Sequence, residues 1–161
     1  MTGHQLLIAQ YDSIKSSRQV LFGYCRSMGD ADLFKKVEAF NNSCIVDLLL
    51  HSTNTYIHWL KNFGLDGTAA FYEIENIKSL KDIEDIYEKV NLLVDEFLQM
   101  YKDDYQQPLT KKSPVRKIEM TLTPLLLFTH VITHEFHHKG QILTMSRLLG
   151  YIPVDTDVIR T

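Results

Sequence analysis

Apolar side chains recur at helical intervals along most of the chain. From Leu7, the positions Tyr11, Ile14, Arg18, Leu21, Cys25 and Met28 follow in steps of four and three, which keeps them on one helix face. The spacing predicts a first helix over roughly residues 4–28, with Gly29 placed to end it. Arg18 is the charged member of that seam, so it is expected to be paired or to snorkel outward along its stem. A second helix is expected to start at Asn41 or Asn42, both good N-caps, and to end before Gly64. One of its stripes carries Ile45, Leu49, Ser52, Tyr56, Trp59 and Phe63; the adjacent one carries Cys44, Leu48, His51, Thr55 and His58. Periodicity fades from Leu65 to Lys78, which reads as a connection with room for a short helical turn. Ser79 with Asp82 spells a capping box. It opens a third helix with Ile83, Ile86, Tyr87, Val90, Val94, Phe97 and Tyr101 on its core face.

After Asp104 the helical pattern breaks. Pro108 and Pro114 bracket Lys111 and Lys112, and Arg116 and Lys117 follow; four basic residues without interleaved aromatics read as a solvated loop. The alternation Ile118, Met120, Leu122 predicts a short strand pairing with residues near Leu109. Thr123 and Pro124 supply an N-cap and a first helical residue. The last helix then runs to Leu149, before Gly150 and Pro153. Four amphipathic helices on one core predict an all-α four-helix bundle with a small hairpin before the last helix. No repeat or low-complexity linker interrupts the pattern, so a single domain over 1–161 is expected.

Composition narrows the function classes. Seven Gly and four Pro in 161 residues are few breakers, as long helices require. A net charge of −3 offers no broad cationic field for nucleic acid. Two cysteines, Cys25 and Cys44, are too few for a disulfide framework and suit buried thiols. The N-terminus lacks a basic-then-apolar signal pattern, and the longest apolar runs fall short of a membrane span. A cytoplasmic protein with no membrane partner is expected.

The candidate chemistry lies in the histidines. On the last helix the heptad seam is Leu127, Val131, His134, His138, Gln141, Met145 and Leu148. His134 and His138 therefore face inward, one turn apart and about 40° around the axis. Two inward imidazoles need a partner, and one metal ion can satisfy both. His130 precedes them on nearly the same stripe, as a fourth ligand, a supporting residue or plain packing; His137 leans to the surface. On the second helix His51 and His58 share a face but lie about 10 Å apart along the axis, so only one can reach the ion. Periodicity leaves that choice open. His134 to His138 also spell H-E-x-x-H, the zincin pattern in which Glu135 would be the general base. Gln141 and Thr144 stand where the longer pattern needs Gly and His, and Glu135 rotates about 100° away from His134, so a peptidase is disfavoured.

The sequence resembles the DinB-like (damage-inducible, YfiT-like) metal-binding helical bundles over nearly its whole length. The resemblance rests on H-x7-W from His51 to Trp59, and on His130, His134, His138, Lys139, Gly140 and Gln141 as H-x3-H-x3-H-[RK]-G-Q. The closing segment from Pro153 through Ile159 adds to it. It implies one divalent transition metal, zinc or nickel, held by His51, His134 and His138. Lys139 departs from the more usual Arg, a real change if that residue clamps an anion. Members with known activity include transferases and isomerases that use the low-molecular-weight thiols bacillithiol, mycothiol or glutathione. The implied function is a metal-dependent thiol transferase acting on a small-molecule substrate. Glu135, Gln141 and Tyr56 are candidate catalytic residues if they line the pocket. The alternatives are a hydrolase that activates water and a non-catalytic, metal-binding stress-response bundle. A homodimer is also implied by the resemblance.

Overall fold

The computed structural model describes residues 1–113 and 117–160, so the expectations for Pro114 and Arg116 lie outside the described residues. Helix α1 (Gly3–Met28) begins with a reciprocal cap. Gln5 donates its amide to Thr2 Oγ1, and Thr2 donates its own to Gln5 Oε1. Every member of the predicted seam from Leu7 to Met28 is buried, Arg18 included. Gly29 ends the helix at φ 79°, a conformation that side chains rarely adopt. A four-residue helix α2 (Asp30–Leu33) follows, too short for periodicity to reveal.

The second long helix starts later than expected. Asn41 and Asn42 are not its caps: both take left-handed backbone conformations, at φ 52° and 56°. They close a loop made of a tight helical turn at Glu38–Phe40 and a bridge between Val37 and Ser43. That loop delivers Cys44 as the N-cap of α3 (Ile45–Tyr56), where Asp47 accepts the Cys44 amide at 2.8 Å. Asparagine suits both an N-cap and a left-handed turn, so the same residues fit either reading.

Beyond Tyr56 the helix widens into π geometry over Ile57–Gly64. Its end is held from outside. Lys111 Nζ donates to the Phe63 and Gly64 carbonyls at 2.8 and 3.0 Å, and the Tyr101 hydroxyl donates to Gly64 at 2.6 Å. Lys111 is thus no solvated loop residue; it satisfies carbonyls that the helix end leaves unpaired. A Cβ on Gly64 would stand 2.5 Å from the Phe97 ring, so this close approach requires glycine.

Residues 65–78 carry one short helical turn, at Ile74–Asn76. Helix α4 (Leu80–Met100) opens on the Ser79–Asp82 capping box and buries its predicted face. Strands β1 (Leu109–Lys112) and β2 (Glu119–Leu122) form the small antiparallel hairpin, Leu109 opposite Leu122. Helix α5 (Pro124–Leu148) starts on Thr123, whose hydroxyl accepts the Leu126 amide. Around the bundle the long helices run α1, α4, α3, α5, with α3 against α5 the most extensive pairing. The architecture is all-α apart from the hairpin. Among the described residues no helix is long and apolar enough to cross a membrane. Cys25 and Cys44 are both free and buried.

The heptad seam on α5 holds at Leu127, Val131, His138 and Met145, but Leu148 is exposed. An α-helix drifts about 20° per heptad from a strict seven-residue repeat, so three heptads turn Leu148 off the core. The buried face moves instead through Glu135, Lys139, Ile142 and Ser146.

Lys139 ties the C-terminal segment to the bundle. Its ammonium donates to the Thr156 carbonyl at 2.7 Å and to Ser17 Oγ, and lies 3.3 Å from the centre of the Phe136 ring. Burial pushes this ammonium down to about 8, with Glu135 and Asp157 opposing the shift. Lys139→Met is expected to lower stability by about 1–2 kcal/mol, the loss of the two bonds being offset in part by removing a buried cation. The sharper readout is limited proteolysis, which should cleave the variant after residue 150 much faster than the parent. Equal cleavage rates would show that the segment is held by other contacts.

Candidate metal centre

Three imidazoles from two helices converge. His51, on the exposed side of α3, meets His134 and His138 of α5 with ring centroids 5.0 and 4.8 Å away. One nitrogen from each ring lies within 4.8 Å of the other two. His134 and His138 bring their Nε2 atoms to 3.2 Å. Ligands about 2.1 Å from a tetrahedral ion stand about 3.4 Å apart, so the closest pair is already at ligand spacing. The structure brings His51, and not His58, to this pair. His58 lies two turns further along and packs on Trp59 at 4.6 Å.

The supporting contacts fit the same use. Gln141 Oε1 sits 2.6 Å from His138 Nδ1. A carbonyl oxygen only accepts, so Nδ1 carries the proton and Nε2 keeps a lone pair facing His134. His134 Nδ1 is buried with no hydrogen-bond partner. Burial also keeps the three rings neutral, the state in which imidazole binds a metal. It lowers His51 and His138, and lowers His134 to about 4, where the neighbouring rings of His138 and His51 add to the effect. The donor set therefore fits a divalent transition ion. His130 is exposed, 5.6 Å from His134 between ring centroids and 5.3 Å from Trp59. Among the described residues no fourth side chain joins the cluster, and His137 is exposed.

These shifts have a consequence for the metal-free protein. His134 has its pKa lowered from 6.5 in the unfolded chain to about 4 in the folded one. The unfolded state then binds more protons over that interval, and stability falls as pH drops through it. Urea midpoints of metal-free protein should decline from pH 6.5 towards pH 4, and His134→Ala should flatten part of that decline. An unchanged decline in the variant would assign the acid sensitivity to other groups.

The other candidates divide. Gln141 touches His138, as described. Glu135 and Tyr56 face the bundle interior, not the cleft. Arg18 donates Nε to Glu135 Oε1 at 2.7 Å and Nη2 to Oε2 at 2.8 Å, while the Tyr56 hydroxyl donates to Oε2 at 2.6 Å. Burial, reinforced by Glu135, holds the Tyr56 hydroxyl well above its ordinary value. Arg18 also donates to Asn91, and its guanidinium lies over the Tyr87 ring at 4.4 Å. The expectation that Arg18 is paired holds; the four-helix network around it is more than the sequence pattern indicated.

Beside His51 and His134 a cleft of about 510 Å³ opens, lined also by Thr55, Trp59, Phe71, Ser113 and His130. Phe71 and Ser113 come from segments without helical periodicity, so no sequence signal marks them. Trp59 stands in the π segment, a geometry often found beside functional sites.

A family model described as DinB family matches residues 1–161, the whole chain. No curated protein matches it.

Proposed function

The chain belongs to the DinB family, and on that footing we propose that it is a metal-dependent thiol transferase whose ion is held by His51, His134 and His138. The observation that carries this reading is the convergence of three neutral imidazole nitrogens within 4.8 Å of one another, two of the three rings, His51 and His134, lining an open cleft. A zinc or nickel ion held by these three neutral ligands would supply the Lewis acidity that lets a thiol lose its proton near neutral pH.

The residues of the chain perform the rest. Gln141 fixes the tautomer and orientation of His138, and the cleft walls admit a small electrophile beside the triad. In the net reaction the thiol S–H and the electrophile's bond to its leaving group are exchanged for a C–S bond, and the proton leaves with the leaving group. Such a reaction needs no carboxylate base. A metal-activated water can dispense with one too, and Glu135, the carboxylate nearest in sequence, has both oxygens bound by Arg18 and Tyr56, so it serves as base in neither reaction. Among the described residues no carboxylate lines the cleft. The choice of transferase over hydrolase therefore rests on the family resemblance.

The test is a panel of bacillithiol, mycothiol and glutathione, each incubated with an electrophilic probe and zinc- or nickel-loaded protein. Conjugation with at least one thiol is expected, dependent on metal and lost in His51→Ala. Absence of metal-dependent conjugation with all three would overturn the transferase assignment.

A further inference from the structure

The walls of the cleft are unusually rich in rings. Trp59 stands edge-on between His58 and His130, with centroids 4.6 and 5.3 Å away and planes inclined at 76° and 75°. Phe71 comes from the connection after α3 and packs on His58 at 6.0 Å. It is 41% exposed, a large apolar ring left open on the cleft. The polar wall atoms are largely committed. The Asn54 amide both donates to and accepts from the Tyr72 backbone at 2.9 Å, and the Thr55 hydroxyl donates to the His51 carbonyl at 2.9 Å. Among the described residues no carboxylate, ammonium or guanidinium lines the cleft.

These observations restrict what the cleft accepts. An anionic group drawn between the rings of Trp59 and Phe71 would lose water there and meet the negative faces of the rings, with no described cationic side chain on the walls to replace the lost solvation. A saturated hydrocarbon would gain burial but not the edge and face contacts that aromatic pairs add. The volume of about 510 Å³ falls within the roughly 300–1,000 Å³ typical of small-molecule sites. It exceeds what one imidazole-sized group would fill.

We infer that the cleft binds an aromatic portion of the substrate against Trp59 and Phe71, holding the substrate's electrophilic carbon beside the histidine triad. Placement of that carbon rests on the metal-site reading above; recognition of the ring does not. The substrate class is thus an aryl or arylalkyl electrophile, with Trp59 and Phe71 as its specificity residues.

The full chain allows a direct test because Trp59 is its one tryptophan. 1-Naphthylmethanol and its saturated counterpart, decahydro-1-naphthylmethanol, serve as probes in equilibrium dialysis, with and without zinc. The aromatic alcohol should bind roughly tenfold more tightly than the saturated one and shift the Trp59 emission. Phe71→Ala should weaken it about fivefold at unchanged zinc content, and Phe71→Tyr should restore it. Phe71 is exposed enough that its removal leaves the core intact. Equal affinity for the two alcohols, no effect of Phe71→Ala, or no binding would each overturn the inference. Naphthyl binding to a protein that conjugates no thiol would strike the transferase reading and leave this one standing. Thiol conjugation without aromatic preference would do the reverse.

Discussion

Replacing His134 with alanine is expected to reduce bound zinc or nickel from about one equivalent per chain to background. His134 has its Nε2 3.2 Å from that of His138 and its ring 5.0 Å from that of His51. Its removal leaves two nitrogens from different helices and no described side chain able to take the vacated place. Loss of a direct ligand should weaken binding by more than about 100-fold, beyond the cost of altering an outer partner. Elemental analysis after metal loading and dialysis reads this directly. His51→Ala should behave alike, whereas His58→Ala should keep its metal, because the His58 ring is engaged with Trp59 and lies outside the cluster. Metal retained in His134→Ala and lost in His58→Ala would place the ion elsewhere in the cleft. Misfolding is a poor explanation for loss in His134→Ala, since the ring is only half-buried at the cleft edge and one of its nitrogens has no partner.

Why His134 and His138 were legible while the cleft was not follows from the physics of the elements. Helices α1, α4 and α5 are long and capped by side chains of distinctive chemistry, so their faces follow from spacing alone. The pair at i and i+4 inherits that certainty. Spacing could not choose between His51 and His58, because one helix face contains both; the resemblance favoured His51, and the contact between α3 and α5 places it there. Asn41 and Asn42 do not start α3 because they adopt the left-handed turn that their short amides also permit. Leu148 leaves the seam because a strict heptad drifts away from a straight helix. Phe71 and Ser113 reach the cleft from aperiodic segments, where burial is decided by tertiary closure and leaves no local trace. The position of Glu135 was partly readable: about 100° of rotation from His134 takes it to a different inner face, where Arg18 of α1 waits.

That ion pair sets the second large effect. Arg18→Met is expected to destabilise the protein by about 3–5 kcal/mol, measured as a lower urea midpoint at unchanged slope. The change leaves the Glu135 carboxylate buried without its bidentate partner and removes one of the two donors to Asn91, the Tyr11 hydroxyl remaining. Arg18→Lys should recover only part of the loss, since an ammonium cannot form the paired bonds that the guanidinium makes to both oxygens. The double variant Arg18→Met/Glu135→Leu separates two roles. Replacing both charges with apolar groups removes the unpaired charge, so much of the lost stability should return. The network, however, also joins Tyr11 and Arg18 of α1, Tyr56 of α3, Asn91 of α4 and Glu135 of α5. It thereby fixes the rotation of α5 one residue away from His134, a directional constraint that apolar packing does not replace. The double variant should therefore fold yet bind zinc about tenfold more weakly than the parent. Parental affinity in a stable double variant would show that helix packing alone orients the triad, and that the buried pair acts only on stability.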